Sequence, residues 1–190
     1  MHLKAIARFT LPALALALTL SACSDVSERA SQLTAPESAY MNKGGAAKLK
    51  ALRTTFSQAN SADTQELHGN GGLLRAGPYS LVVPPGAVNK PTVFHMALRT
   101  DGVAGVTLTA HQKVNGSLRD VGSQGFKKDL ILALSYDGLE SQFGGDPSQL
   151  LVAWDRGNGN LVPVRSEVNT QYKVVYGYLK HFSDYALAFP

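Results

Sequence analysis

The sequence predicts an all-β fold, a two-sheet antiparallel β-sandwich, on three observations. From Gly71 onward, helical periodicity gives way to short runs in which apolar and polar residues alternate. Gly, Pro, Asn and Asp separate these runs, as turn residues separate strands. About eight runs fit within roughly 120 residues, and a single open sheet of that size would leave an apolar face in water. Two packed sheets bury both inner faces.

The first 22 residues are predicted to be a signal peptide that is removed. Lys4 and Arg8 precede an uncharged run from Phe9 to Leu20, which is too short to span a hydrocarbon core that needs roughly 20 residues. "LSAC", Leu20 to Cys23, then resembles the bacterial lipobox, in which the cysteine thiol accepts a diacylglyceryl group before cleavage on its N-terminal side. An ordinary signal peptidase prefers a small residue where this chain has Leu20.

The lipobox implies that Cys23 is the lipidation site and that the mature chain is a lipoprotein with palmitate-type acyl chains. Two or more chains, at ~0.8 kcal/mol per buried methylene, give stable anchoring. Cys23 is the only cysteine, which excludes an internal disulfide. Ser24 follows it rather than the Asp that resembles an inner-membrane retention signal. The expected location is therefore the cell envelope, and the outer membrane if the host is Gram-negative.

Residues 23–70 are predicted to be the lipidated cysteine and a flexible tether, because they are rich in small and polar residues and poor in large apolar ones. Within them, Ala46, Leu49, Leu52 and Phe56 recur at helical spacing. This spacing is compatible with a short amphipathic helix, packed either on the edge of the domain or on anionic lipid headgroups. The third alternative is a segment that is not stably helical. Removal of residues 1–22 takes away two of the 18 basic side chains, and the resulting net charge of +2 is too small to predict nucleic-acid binding.

Residues 71–190 are predicted to form the β-sandwich domain. Pro84 and Pro85 end the second strand, because proline cannot donate to a central ladder. In the third strand, alternation places Phe94, Met96 and Leu98 on one face. Turns are predicted at Asp101-Gly102, Asn115-Gly116 and "RGNGN". The predicted strands are, in order, "LLRAG", "YSLVV", "TVFHMALR", "GVTLTAHQKV", "DLILALSYD", "LLVAWD", "LVPV", "YKVVYGYL" and the last run, "HFSDYALAF".

Three stretches resemble the zonula-occludens/netrin-receptor (ZU-five type) β-sandwich family as it occurs in bacterial lipoproteins. "GGLLRAGPYSLVVPPGAV", from Gly71 to Val88, resembles the opening of that domain, and "FKKDLILALSYD" resembles its middle strand. "LLVAWDRGNGNLVPV" with "HFSDYALAF" is similar to its Trp-containing hairpin and closing strand. The resemblance covers residues 71–189. It implies a non-catalytic protein-interaction module without a cofactor, whose partner is an unidentified envelope or extracellular protein.

The closing run contains His181, Phe182 and Ser183, for which two interpretations remain open. Some relatives in the family cleave themselves between Phe and Ser of a matching His-Phe-Ser. Carried over, Ser183 is the nucleophile on the Phe182 carbonyl, with His181 as the base, and the attack needs a strained peptide bond. On the structural interpretation, Phe182 plugs the end of the core while His181 and Ser183 satisfy nearby backbone groups. Only seven residues follow Ser183, so cleavage would release just a terminal strand.

A second alternative is carbohydrate binding. Trp154 with Tyr172, Tyr176 and Tyr178 would form a stacking platform on a sandwich face, although a tryptophan on a strand more often belongs to the core. The remaining candidates predict no metal site. "DRGNGN" places glycines where a calcium loop needs oxygen ligands, so a hairpin turn explains it better. The histidines that lack paired metal-ligand spacing are His68, His95, His111 and His181.

No Walker loop, nucleophile elbow, zincin helix or paired catalytic carboxylates occur in the sequence. The expected function is that of a non-catalytic envelope lipoprotein, anchored to the membrane through Cys23, whose β-sandwich binds a protein. Self-cleavage and glycan binding remain the alternatives, and no nucleic-acid partner is expected.

Overall fold

The strands form where apolar side chains alternate with polar ones. In the strand Thr92–Leu98, the side chains of Phe94, Met96 and Leu98 are buried, and those between them are partly exposed. The structure is a computed structural model that describes residues 48–56 and 61–190. Its strands are β1 (Lys50–Ala51), β2 (Ala62–Leu67), β3 (Gly72–Ala76), β4 (Tyr79–Val83), β5 (Thr92–Leu98), β6 (Gly105–Val114), β7 (Ser117–Asp120), β8 (Leu130–Ser135), β9 (Leu151–Asp155), β10 (Leu161–Pro163), β11 (Ser166–Asn169), β12 (Val174–Leu179) and β13 (Asp184–Phe189).

These strands form two antiparallel sheets, as predicted. The larger sheet has eight strands in the order β10-β9-β13-β6-β5-β2, with β1 paired to β13 and β7 paired to β6. The smaller sheet has five strands in the order β11-β12-β8-β4-β3. Within the described residues the only helices are single 3₁₀ turns at Gly122–Gln124, Glu140–Gln142 and Pro147–Gln149. The fold class is therefore an all-β sandwich.

Two glycines show why the chain can turn and pack where it does. Asn115 and Gly116 have φ of 50° and 84°, the left-handed values that a tight turn between β6 and β7 requires, and the sequence predicted this turn. Gly105 begins β6 directly against β13. A Cβ at that position would lie 2.0 Å from the Tyr185 carbonyl oxygen, so only glycine permits this pairing.

The core lies between the two sheets and is almost wholly apolar. Its largest fully buried side chains include two tyrosines, Tyr79 and Tyr185, and burial raises the pKa of both phenols. Leu81 and Leu132 from the smaller sheet and Phe94 from the larger one are also fully buried. Close packing of this kind makes each core side chain sensitive to truncation.

Side chains close the sandwich along the edge where β2 meets β3. The Asp63 carboxylate accepts from the Arg75 backbone N–H at 3.0 Å and from Gln65 Nε2 at 2.9 Å. Gln65 Nε2 also donates to the Leu73 carbonyl oxygen at 2.9 Å. These bonds satisfy backbone groups of β3 that point away from its strand partner β4. The β3 edge of the smaller sheet is thus covered rather than open for another strand.

The predicted helix around Leu49, Leu52 and Phe56 is wrong for the described residues. Residues 50–51 form β1, which pairs with the end of β13, and Leu52 is fully buried in the core. Its N–H donates to the Leu187 carbonyl oxygen at 2.9 Å, and its own carbonyl oxygen accepts from Ala104 N–H at 2.9 Å. Pairing with distant strands thus replaces the local helical bonds that the spacing suggested.

The boundary between tether and domain also needs correction. β2 lies within residues 23–70, yet it pairs with β5 along its whole length, from Ala62 opposite Ala97 to Leu67 opposite Thr92. The sandwich therefore includes residues upstream of Gly71, because sheet pairing recruits polar segments that carry few core residues. The signal peptide, Cys23 and the tether up to residue 47 lie outside the described residues.

Candidate functional site

Phe182 occupies the end of the core. Its side chain is 6% exposed and packs against Phe94 and Phe126, with ring centroids 5.5 and 4.8 Å away. Its backbone N–H donates to the Gly122 carbonyl oxygen at 2.9 Å. The structure thus places Phe182 where the structural interpretation of the His-Phe-Ser motif expects it, as an aromatic plug between the sheets.

His181 and Ser183 flank this plug and contact the rim of the sandwich instead of each other. Ser183 Oγ accepts a hydrogen bond from Trp154 Nε1 at 2.9 Å, and the Ser183 carbonyl oxygen accepts from Leu108 N–H at 3.1 Å. His181 Nδ1 lies 3.3 Å from the Tyr185 hydroxyl, which donates to the His181 carbonyl oxygen at 2.8 Å. The Ser183 hydroxyl and the His181 imidazole therefore lie at hydrogen-bond distance from different residues, whereas a nucleophile and its base share a hydrogen bond.

No cis peptide bond and no left-handed residue occurs around Phe182. In the described residues there are no cis peptide bonds, and the non-glycine residues with positive φ are Asn115, Asn158 and Lys173, all outside this segment. Self-cleavage needs stored strain at the scissile bond. The His-Phe-Ser segment lacks both the hydrogen bond between hydroxyl and imidazole and the backbone outlier that such a reaction would use. Self-cleavage stays a prediction that chemical measurement must test.

A cleft of about 300 Å³ opens beside β6 and reaches Ser183. Asp184 Oδ1 accepts from Thr107 Oγ1 at 2.6 Å. Asp120 accepts from Ser123 Oγ at 3.0 Å and from Gly122 N–H at 2.8 Å. Burial alone would raise the pKa of Asp120, but these hydrogen bonds outweigh it and hold the pKa below its usual value. The cleft offers hydroxyl and carboxylate groups that suit hydrogen bonding to a polar ligand. Its polar lining comprises Thr107, Thr109, His111, Asp120, Ser123, Ser183 and Asp184.

The predicted stacking platform of Trp154 and three tyrosines does not exist. Trp154 lies on β9 of the larger sheet, where the Arg156 guanidinium sits 4.1 Å from the centroid of its ring and the His181 ring packs 4.5 Å away. Tyr176 and Tyr178 project from the outer face of the smaller sheet, and Tyr172 lies in the turn before β12. The two sets belong to different sheets, so they cannot contact one sugar together.

"DRGNGN" forms the hairpin turn that the sequence predicted. Gly157 N–H donates to Asp155 Oδ1 at 2.8 Å, and Asn158 takes a positive φ of 54°. Asp155 Oδ2 also accepts from Arg99 Nη1 at 2.8 Å, a pair whose two side chains are 11% and 12% exposed. Burial alone would lower the pKa of Arg99, but hydrogen bonds to Asp101 and Asp155 outweigh it and raise the pKa. The Asp155 carboxylate is thus engaged in holding the strands together.

The histidines of the described residues are dispersed over the sandwich. His95 Nδ1 lies 2.7 Å from Thr64 Oγ1, and His68 Nε2 lies 3.5 Å from an exposed carboxylate oxygen of Glu66. In residues 48–56 and 61–190, no three His, Cys, Asp or Glu side chains are grouped so as to hold a metal ion. None of the helices in those same residues is both long and apolar enough to cross a membrane.

The outer face of the smaller sheet carries a continuous row of apolar side chains that sequence reasoning missed. Strand register places Leu73 opposite Val82, Val82 opposite Ile131, and Ile131 opposite Tyr178. All four alternate with buried neighbours and so point away from the core, and Leu73 and Val82 are 39% and 40% exposed. Arg165 caps the end of the row, with its guanidinium 3.9 Å from the Tyr178 ring centroid. We call these four residues the apolar row.

The outer face of the larger sheet is different. Thr64, His95 and Thr109 lie side by side across β2, β5 and β6, and Val93 lies opposite His111 in the next position. These positions carry mostly hydroxyl and imidazole groups, whereas the apolar row presents aliphatic and aromatic groups. A contiguous apolar stripe bordered by polar residues is typical of a surface that binds another protein. The apolar row could have been found in the sequence, since each of its members is an apolar residue at an outward position of its strand.

Neither a protein-family model nor a curated protein matches this chain. The resemblance to the zonula-occludens/netrin-receptor family therefore stays a prediction.

Proposed function

We propose that this chain is an envelope lipoprotein, anchored to the membrane through Cys23, whose β-sandwich is a non-catalytic protein-interaction module. The observation that carries the interaction part is the apolar row, Leu73-Val82-Ile131-Tyr178, on the outer face of the smaller sheet. Apolar area removed from water contributes about 25 cal/mol per Å², which favours covering such a row with a partner.

The anchor part rests on the sequence. The lipobox "LSAC" ends at Cys23, and Ser24 in the following position favours the outer membrane in a Gram-negative host. A tether of small and polar residues would let the sandwich stand clear of the bilayer while the acyl chains hold it there. A tethered module with an exposed apolar row meets partners in the envelope at a high local concentration.

Two experiments test the two parts separately. For the anchor, cells are labelled with a palmitate analogue: the wild-type chain should carry the label and stay with the membranes, and Cys23→Ala should do neither. A wild-type chain that is unlabelled and aqueous would refute the anchor.

For the interaction, a photo-crosslinking amino acid is placed at Val82 in the apolar row and, as the matched control, at Thr64 on the polar face of the other sheet. We expect crosslinked protein from Val82 and none from Thr64 in intact cells. Equal crosslinking from both positions, or none from Val82, would contradict an interaction through this face.

One observation favours a second candidate, glycan binding: the hydroxyl-lined cleft beside β6. Hydroxyl and carboxylate groups are suitable partners for the hydroxyls of a sugar. A peptidoglycan pulldown and a glycan array measure this directly. Binding that is lost in Thr109→Val but kept in Val82→Lys would assign the activity to the cleft rather than to the apolar row.

A further inference from the structure

The outer face of the smaller sheet has a second row beside the apolar row, with opposite charges at its two ends. Register places Arg75 opposite Ser80, Ser80 opposite Ala133, Ala133 opposite Tyr176, and Tyr176 opposite Glu167. The cation lies on β3 at one edge of the sheet and the carboxylate on β11 at the other. Two small residues, Ser80 and Ala133, lie between the cation and the bulky tyrosine. We call these five residues the charged row.

Such a row is complementary to its own reversed copy. A two-fold axis that runs parallel to the strands through Ala133 turns the face over and reverses the order of the strands. It therefore brings Arg75 of one copy onto Glu167 of the other, twice, and sets Tyr176 over Ser80. An interface in which the same patch meets itself is the usual arrangement of homodimers.

The same operation also matches the apolar row with itself. Ile131 meets Ile131 of the other copy close to the axis, and Val82 meets Tyr178. Arg165, which lies over the Tyr178 ring, covers Leu73 with its aliphatic stem. Apolar groups are thus placed on apolar groups, and the charges on the neighbouring row are placed on opposite charges.

From this self-complementarity we propose that the apolar and charged rows bind a second copy of this chain, in a two-fold face-to-face packing of the two smaller sheets. The proposal names the partner of the interaction module and so rests on the proposed function. Four strand spacings of about 4.8 Å make the face about 19 Å wide, which is narrow for a stable dimer. The association is therefore weak in dilute solution and becomes effective when chains share one membrane.

The test is chemical crosslinking of the full-length protein in intact cells. A single cysteine is introduced as Ala133→Cys, close to the proposed axis, and a bismaleimide with a spacer of about 10 Å is added, since face-to-face sheets pack about 10 Å apart. We expect a species of twice the monomer mass from Ala133→Cys and none from the matched variant Thr64→Cys. No dimer from Ala133→Cys, or equal dimer from both variants, would overturn the proposal.

Charge reversal makes the test specific to the two-fold geometry. In the Ala133→Cys background, Arg75→Glu and Glu167→Arg each create two like-charge contacts, so each should lower the dimer yield about tenfold. The double variant restores both opposite-charge contacts and should return the yield to within about twofold of the starting level. Single variants without effect, or a double variant without recovery at an unchanged unfolding midpoint, would refute the arrangement.

Two further measurements separate this inference from the proposed function. Val82→Lys adds charge at a position that is already 40% exposed, so it should abolish the dimer without unfolding the chain. The chain without an introduced cysteine should not react, because the diacylglyceryl group on its sulfur blocks the Cys23 thiol. If this chain does react, the anchor fails whatever the dimer does. Photo-crosslinks from Val82 to a different protein, without any dimer, would overturn the self-association and leave the interaction module standing.

Discussion

Phe182→Ala is the perturbation that best tests how the end of the sandwich is built. The side chain is 6% exposed, and its ring packs on Phe94 and Phe126 with centroids 5.5 and 4.8 Å away. Truncating a buried phenylalanine to alanine costs about 3–5 kcal/mol, including the cavity left behind. Because the plug sits at the end of the core, where neighbours can relax, we expect a loss of about 3–4 kcal/mol in the free energy of unfolding.

Urea unfolding followed by tryptophan fluorescence measures this loss. With a denaturant dependence of about 2 kcal/mol per M, the midpoint should fall by roughly 1.5–2 M. Phe182→Leu keeps most of the apolar volume and should cost under about 1.5 kcal/mol. Leu118→Ala serves as the control, since Leu118 is 70% exposed and its truncation should change stability by less than about 0.5 kcal/mol.

The same series distinguishes a structural plug from a strained scissile bond. If the segment stored strain for cleavage, shortening Phe182 would relieve it and leave stability unchanged or higher. A loss below about 1 kcal/mol for Phe182→Ala, with Leu118→Ala unchanged, would refute the packing role of Phe182 against Phe94 and Phe126.

Three further predictions follow from single residues. Denaturing mass spectrometry should find one intact mature species for both wild type and Ser183→Ala, and a wild-type break before Ser183 that disappears in the variant would establish self-cleavage. Leu52→Ala should lower the free energy of unfolding by about 2–5 kcal/mol, because Leu52 is fully buried. The control Thr55→Ala, at an exposed neighbouring position, should have little effect. Equally small effects of both substitutions would show that this segment is not part of the folded core. The hydrogen bond from Arg99 holds the pKa of Asp101 below its ordinary value, so this stabilisation is complete above about pH 4 and is lost as pH falls through the folded pKa. Asp101→Asn should therefore flatten the acid decline of the free energy of unfolding, and an unchanged slope in acid titrations would contradict this.

Local patterns predicted the strands whose burial alternates. The period of two in "TVFHMALR" fixed both the strand β5 and its inward residues, and Asn115-Gly116 fixed a turn through the positive φ that it tolerates. In the closing strand a period of two groups Tyr185 and Leu187 on one face, which is buried, but the opposite face is buried as well. Ala186 and Ala188 are fully buried because other strands pack around β13, and small side chains alone do not indicate such packing.

The missed elements depend on contacts that are distant in sequence. β2 reads "ADTQEL", with polar residues on both faces, and is held in the sheet by β5 and by the bonds of Asp63 and Gln65 to the backbone of β3. At β1, the spacing of Leu49 and Leu52 satisfies a helical pattern as well as an irregular strand. Pairing of β1 with β13, more than 130 residues away along the chain, decides between them, and no local window contains that information.

The candidate site likewise combines features that local sequence predicted with features that depend on distant contacts. The structural interpretation of the motif predicted Phe182 in the core from its apolar character, whereas alternation would place it on the face opposite Tyr185. The partners of His181 and Ser183 could not be predicted. Trp154 reaches Ser183 only because β9 lies beside β13 in the sheet. The apolar row was visible residue by residue, yet its continuity depends on the register of four strands, β3, β4, β8 and β12.

The way the sheet edges are closed bears on how this sandwich would bind a partner. An incoming strand needs free N–H and C=O groups along an edge, and on β3 the Leu73 carbonyl oxygen and Arg75 N–H are already bonded to Gln65 and Asp63. At this edge, addition of a strand would first have to break these bonds. Binding through the outer face needs no such rupture, because side chains there already project into water. The β3 edge is protected, and the adjoining apolar row is exposed. Both features favour binding of a partner through side chains on the outer face of the smaller sheet. Asp63→Ala distinguishes the two modes: it should promote strand addition and aggregation while leaving binding through the apolar row unchanged.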